Sequence, residues 1–418
     1  MNRIIVKGNK PINGKIKISG SKNAALPIII AAAAINKKTI LHNIPNISDI
    51  LSLCNILRYI GYDIDYNGYT LIIDPPYSHS AIDLSDCCSV EEFRASTLLI
   101  GALINCCGSI KIKMPGGCAI GLRPIDMHIM ALRTMGSIIS CNDNVLHCSI
   151  RHQTKGSRIV FPRISVGATE NAIIAASVSD GVTEIENAAM EPEIEDLLNF
   201  LISTGVKISG VGTRSIVVNG TSSHDSIEYK ITNDRIETIS YALAAIATGG
   251  EVDLINSFMH DSMTDKIKEI GGRVVVCDNC VTVKSPSRRC IMPTNICTMP
   301  YPMFPSDAQP LFASILSVAS GSSTIKETLY ENRFMYVHEL HKMGAQINID
   351  KDVISINGVE KLFGSNVFAT DLRSGMSLVL AALVAEGETF IDNVFHIDRG
   401  YENIDSKLTQ CGAIIKRI

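Results

Sequence analysis

Residues 114–128, MPGGCAIGLRPIDMH, hold a cysteine in an unusual setting. Pro115, Gly116, Gly117 and Gly121 make this stretch a mobile loop, able to act as a lid. Cys118 stands at its tip and Arg123 follows five residues later. A thiol beside guanidinium groups and loop amides is either a thiolate of depressed pKa or a poised acid. A Gly-flanked tip is a poor place for a cysteine that merely fills a core. His128, in the same loop-to-helix turn, is read as a structural imidazole. Cations form a second set. Lys22, Arg94, Arg235 and Arg373 each open an apolar, Ala-rich segment, and Thr169 and Asp307 stand at the matching places of two more. A cation at a helix N-terminus opposes the helix dipole. Folding alone does not call for four of them. Peptide N–H groups and cations together hold anions, so these ends should line a cleft for a multiply anionic substrate. Arg123, Arg333 and Arg399, in GLRPID, ENRF and DRGYEN, add guanidinium groups suited to phosphate and carboxylate.

The elements that must position these residues repeat. An apolar helix, a Gly or polar break and a short β run recur from Ser21, Phe93, Ala168, Asp234, Ser306 and Leu372, spaced 72, 75, 66, 72 and 66 residues apart. A more polar helix ending in Gly, then a strand, completes each copy, as in LCNILRYIGYDIDY and VHELHKMGAQINI. Gly just past the last periodic residue is a C-terminal stop signal. The first helix of each copy is apolar all round and should be buried, as over Ala24–Ile35 and Ser374–Ala385. The second should expose one face. This is an α/β fold with helices inside and strands outside. Six copies group most simply as three plus three. The opening strand, Arg3–Lys17, has no copy of its own and can pair with the last one. The crossing between halves is placed at the polar stretch from His224 to Asn233.

Composition narrows the function. The 418 residues are 46% hydrophobic and 19% charged, with 38 basic and 42 acidic residues and a formal charge of −4. A globular chain with a large core is expected. Neither a nucleic-acid partner nor, with 5% aromatics and no Trp, a base-stacking platform is implied. The apolar run Leu26 to Ile35 is too short to span a membrane, and the N-terminus alternates like a strand rather than a signal peptide. Thirteen scattered Cys fit a reducing cytoplasm and mostly buried thiols. P-loop, H-E-x-x-H and G-x-S-x-G motifs are missing, and no His pair is spaced for a metal. No cofactor and no metal is expected.

The stretches GSKNAALPI (20–28), RAS (94–96), PGGCAIGLRPID (115–126), SVGATENAI (165–173), FPSDAQ (304–309), ENRFMYVHEL (331–340), ATDLR (369–373) and DRGYEN (398–403) resemble the UDP-N-acetylglucosamine enolpyruvyl transferases, or 1-carboxyvinyltransferases. They run through the chain in family order, and the PGGC loop is highly specific. The resemblance implies an inside-out α/β barrel of two domains, each of three repeated βα units with buried Ala-rich helices. One domain would be residues 1–21 and 233–418, the other 22–232 with the Cys118 loop. It implies transfer of the enolpyruvyl group of phosphoenolpyruvate to the sugar 3′-hydroxyl with release of phosphate, the first committed step of peptidoglycan synthesis, in the cytoplasm. A monomer suffices for the site. Cys118 matches the acid that protonates C3, and Asp307 the acceptor of the hydroxyl proton. Lys22, Asn23, Arg123 and Arg399 match the phosphoenolpyruvate clamp. Asn23, Arg94, Arg123, Pro124, Ile125, Asp126, Met127, Arg163, Ser165, Val166, Gly167, Asp307 and Leu329 match sugar-nucleotide contacts. Arg333 and Arg373 are read as supporting residues. Glu91, Asn233, the stretch TISY after Glu237, and Ser306 depart from the family pattern, outside the matched catalytic pair. The rival readings are 3-phosphoshikimate 1-carboxyvinyltransferase, which lacks a catalytic loop cysteine, and a non-catalytic scaffold of the same fold.

Overall fold

The structure is a computed structural model that describes residues 3–78, 80–87, 89–90, 94–114, 120–121, 124–286 and 290–418. Among them are six four-stranded sheets built to one plan. An edge strand runs parallel to its neighbour, and the next two pairings are antiparallel. In one sheet Ile227–Lys230 runs parallel to Thr39–His42, which pairs antiparallel with Thr70–Asp74, which pairs antiparallel with Asp63–Tyr66. The strands alternate buried and exposed residues, as in Thr70–Asp74 and Ser322–Lys326, so each sheet has one face against a core.

Inside the sheets lie six apolar helices: Lys22–Ile35, Leu98–Cys107, Val166–Ser177, Arg235–Thr248, Gln309–Leu316 and Leu372–Val384. Every residue of Arg235–Thr248 is buried, and in Lys22–Ile35 all but Asn23 are. Small Ala side chains let these helices pack without a polar face. Their starts are fixed by side-chain caps: Ser21, Ser165, Asp234 and Asp371 accept bonds from first-turn amides, and Asp371 with Ser374 completes a capping box. Two of the six begin differently, with a single 3-10 turn, Arg94–Thr97 or Ser306–Ala308, ahead of the α-helix. The amphipathic helix of each copy ends at a glycine, Gly61, Gly136, Gly205, Gly271, Gly344 or Gly412, with φ between 92° and 102°. That backbone strains any residue with a Cβ, which explains the repeated Gly in the sequence.

The chain divides into two compact units. The first comprises residues 1–19, 118–122 and 233–418, and the second 20–117 and 123–232. Each has its own hydrophobic core, one running from Ile4 to Ile415 and the other from Ala24 to Ile231. In the first unit, strand Arg3–Lys7 lies between Glu388–Asp392 and Ile414–Arg417, antiparallel to both. Strand Asn13–Lys17 joins another sheet of that unit, parallel to Glu251–Ile255.

Candidate active site

In the first unit, Asp307 lies in the 3-10 turn that opens a core helix, and arginines surround it. Arg333 Nη2 donates to Asp307 Oδ1 at 3.0 Å. Arg373, second residue of the helix Leu372–Val384, donates to Oδ2 from Nε at 3.2 Å and Nη2 at 3.1 Å. Both guanidinium groups are buried, and the carboxylate is about one-third exposed. Burial alone would raise the Asp307 pKa. The charges of Arg373 and Arg333, the Arg373 hydrogen bonds and the nearby Arg235 outweigh it and hold this carboxyl well below the usual carboxylate range. Arg373 also donates to the Tyr401 hydroxyl at 3.3 Å, and Arg333 lies 3.8 Å from Asp371. Leu329 sits nearby in the chain path: its N–H donates to Glu327 Oε1 at 2.9 Å, and Glu327 accepts from the hydroxyl of Ser306, the neighbour of Asp307. Arg399, half-buried, follows the short helix Phe395–Asp398. Burial and its charge lower the pKa of His396. Ile120 and Gly121, the described part of the Cys118 loop, belong to this unit, where Asn332 N–H donates to the Ile120 carbonyl at 3.1 Å.

In the second unit, Lys22 is the first residue of its core helix, with Asn23 after it. The Lys22 ammonium lies 2.7 Å from Asp49 Oδ2, and both side chains are nearly enclosed. Arg94 Nη2 donates to the Pro124 carbonyl at 3.1 Å. Ile125 then precedes the helix Asp126–Thr134, in which Met127 is buried. Asp126 accepts from Arg163 Nη2 at 3.0 Å and 3.1 Å. Ser165 caps the helix that begins with Val166 and Gly167. His128 is buried beneath: a Cβ on Gly167 would lie 3.2 Å from its ring, which is also 3.3 Å from the Asn171 amide. Arg94, residues 124–127 and residues 163–167 thus form one linked neighbourhood.

Cys118 and Arg123 lie outside the described residues, as do Glu91 and Phe93. Lys22, Arg235 and Arg373 are buried, so these helix-end cations are not solvated surface charges. Thr169 does not belong with them. It is the fourth residue of its helix, fully buried, and its hydroxyl accepts from Ala189 N–H at 3.0 Å. Asp49, Glu327 and Asp371 were not singled out in the sequence. For Asp371, the Asp-x-x-Ser capping pattern was available as a signal. The reading of the cysteines as mostly buried needs correction, because Cys141, Cys277, Cys290 and Cys297 are exposed. Cys277 and Cys297 are the last residues of their strands, Cys141 is next to last in its strand, and Cys290 lies outside any helix or strand.

The family model for EPSP synthase (3-phosphoshikimate 1-carboxyvinyltransferase) matches residues 6–408. Proteins named UDP-N-acetylglucosamine 1-carboxyvinyltransferase from Xylella fastidiosa (strain M23) and Acinetobacter baylyi are each 41% identical, over 428 and 420 aligned residues, covering 100% of both chains. One from Granulibacter bethesdensis is 40% identical over 423 residues, again covering 100% of both chains. Among solved structures, the enolpyruvyl transferase NikO from Streptomyces tendae superposes with a TM-score of 0.84 at 22% identity, covering 99% of this chain and 98% of that one. EPSP synthase from Acinetobacter baumannii gives 0.74 at 18%, covering 100% of both chains. Those two likenesses establish the inside-out α/β barrel fold. Matched along its length by the family model and by relatives about 41% identical, the chain belongs to the EPSP synthase family and, within it, to the UDP-N-acetylglucosamine 1-carboxyvinyltransferases.

Proposed function

We infer that the protein transfers the enolpyruvyl group of phosphoenolpyruvate to the 3′-hydroxyl of UDP-N-acetylglucosamine and releases phosphate, opening the route to peptidoglycan. The carrying observation is the full-length identity to relatives bearing that activity in their name. In this reading the sugar oxygen bonds to C2 of phosphoenolpyruvate while C3 gains a proton. The C3 proton then leaves, the C2–O bond to phosphate breaks, and the vinyl ether remains. Asp307 accepts the hydroxyl proton. Two arginines make it a weak base at equilibrium but keep it ionised at every physiological pH, so no prior deprotonation is needed. It receives the proton as C–O bond formation acidifies the hydroxyl. Cys118 supplies the C3 proton. Lys22, Asn23, Arg123 and Arg399 hold phosphoenolpyruvate, with preorganised cations meeting its charge. Arg94, Pro124 to Met127, Arg163 and Ser165 to Gly167 form the nucleotide side, and the Leu329 backbone meets the sugar. Arg333 and Arg373 keep the Asp307 carboxylate oriented.

The sister reaction on shikimate 3-phosphate is less favoured by the relatives' names and by the PGGC loop. The relatives' names also disfavour a non-catalytic scaffold of the same fold. The described cysteines are free thiols, in keeping with a reducing cytoplasm, and no described helix is long and apolar enough to cross a membrane. Phosphate release from phosphoenolpyruvate tests the assignment. It should require UDP-N-acetylglucosamine, and release with shikimate 3-phosphate instead would overturn it.

A further inference from the structure

We propose that Asp49 is the positioning residue for the phosphoenolpyruvate clamp, holding the Lys22 ammonium in register through a buried ion pair; this rests on the reading of Lys22 given above. The pair joins the first turns of two helices. Lys22 opens the core helix Lys22–Ile35, where the dipole disfavours a cation. Asp49 is second in the helix Ser48–Tyr59, where the dipole favours an anion, and the N-cap of that helix, Ile47, offers no side-chain bond. The Nζ to Oδ2 distance is 2.7 Å, with side-chain exposures of 11% and 7%. A lysine on its flexible four-carbon stem has many conformers, and a carboxylate fixed at this distance selects among them.

The backbone brings the two together by a close approach. Gly20, two residues before Lys22, lies so near the Asn43 carbonyl oxygen that a Cβ would collide with it. Asn43 has φ of 61°, and its side-chain amide donates to the Ile231 carbonyl at 2.9 Å. The turn leading to Asp49 is thereby seated against the segment leading to Lys22.

Electrostatics and positioning predict opposite signs. Asp49 is an anion near the proposed place of an anionic substrate. If its charge acted alone, Asp49→Asn would lower the KM for phosphoenolpyruvate. If Asp49 orients Lys22, that KM should rise about tenfold or more, because small misplacements of clamp groups are costly. The KM for UDP-N-acetylglucosamine should stay within about twofold, since Arg94, residues 124–127 and residues 163–167 are tied to one another by bonds that do not involve this pair. A merely structural role would shift both constants together with thermal stability. Should Asp49→Asn fail to fold, Asp49→Glu keeps the charge and displaces the carboxylate, and again only the phosphoenolpyruvate KM should rise. An unchanged or lowered phosphoenolpyruvate KM, or a parallel rise in both constants, overturns the proposal. Absence of phosphoenolpyruvate turnover in the unsubstituted enzyme would instead overturn the functional reading.

Discussion

Replacing Asp307 by Asn separates its chemistry from its role as counter-ion. In the native protein the carboxylate binds Arg333 at 3.0 Å and Arg373 at 3.1 Å, and those side chains are only 3% and 4% exposed. Removing one partner of a buried ion pair costs about 3–5 kcal/mol. The Asp307 side chain is itself 33% exposed, so solvent screens part of this, and about 2–3 kcal/mol is the better expectation. For a domain of some 200 residues each kcal/mol moves Tm by about 2–4 °C, so Asp307→Asn should melt about 5–10 °C lower. The pH dependence has a definite sign. Asp307 has a lower pKa folded than unfolded, so its contribution is complete above the unfolded value of about 4 and is lost as pH falls through the folded one. The gap between wild type and variant should therefore be widest near neutrality and narrow in acid. Turnover should drop by about 10²–10⁴-fold if the carboxylate is the proton acceptor. Calorimetry at several pH values, paired with a phosphate-release assay, reads both. A variant that melts lower yet turns over normally would leave Asp307 a counter-ion only. Lost turnover with an unchanged melt would refute the ion-pair argument.

Cys118→Ala should abolish turnover yet leave UDP-N-acetylglucosamine binding largely intact by calorimetric titration, and Cys118→Asp should keep a proton donor. An epoxide electrophile that carries a phosphonate, such as fosfomycin, should label Cys118 on peptide mapping. Burial pushes the Cys54, Cys106 and Cys148 thiols up to about 11, so they should stay unlabelled, and the exposed Cys141, Cys277, Cys290 and Cys297 provide the stringent internal comparison. Lys407 Nζ lies 2.6 Å from Glu237, whose side chain is 2% exposed, so Lys407→Met should cost about 3–5 kcal/mol in urea unfolding. Adding Glu237→Gln should recover part of that loss, because the stranded charge is removed.

The architecture was legible because each repeat carries the same short-range signals. Polar caps, all-round apolar helices and a Gly at the end of each amphipathic helix are local features, and the helix predicted over Ala24–Ile35 runs from Lys22 to Ile35. Asp307 and Arg373 stood out because the repeat puts both at core-helix starts. Arg333 was found only by its residue type and resemblance, since it reaches Asp307 across 26 residues. Asp49 carries no sequence signal, for a related reason. Nothing local ties it to Lys22; their meeting depends on Gly20 packing against Asn43, a tertiary approach with no period. Thr169 misled because register along a repeat fixes where a residue stands in a helix, not what packs over it.

The first strand and the last strand of the chain are neighbours, with Arg3 N–H donating to the Ile418 carbonyl at 3.2 Å and Ile418 N–H to the Arg3 carbonyl at 2.9 Å. This has a consequence for synthesis. The residues of the second unit, 20–232, are nearly all made before the ribosome reaches the bulk of the first, so that unit can complete its core while translation continues. The first unit cannot. Its opening strands must wait unpaired until Glu251–Ile255, Glu388–Asp392 and finally Ile414–Arg417 emerge. Premature termination before residue 414 would strip one partner from Arg3–Lys7 and leave a bare sheet edge, so truncated products should aggregate or be degraded rather than accumulate as partly active enzyme.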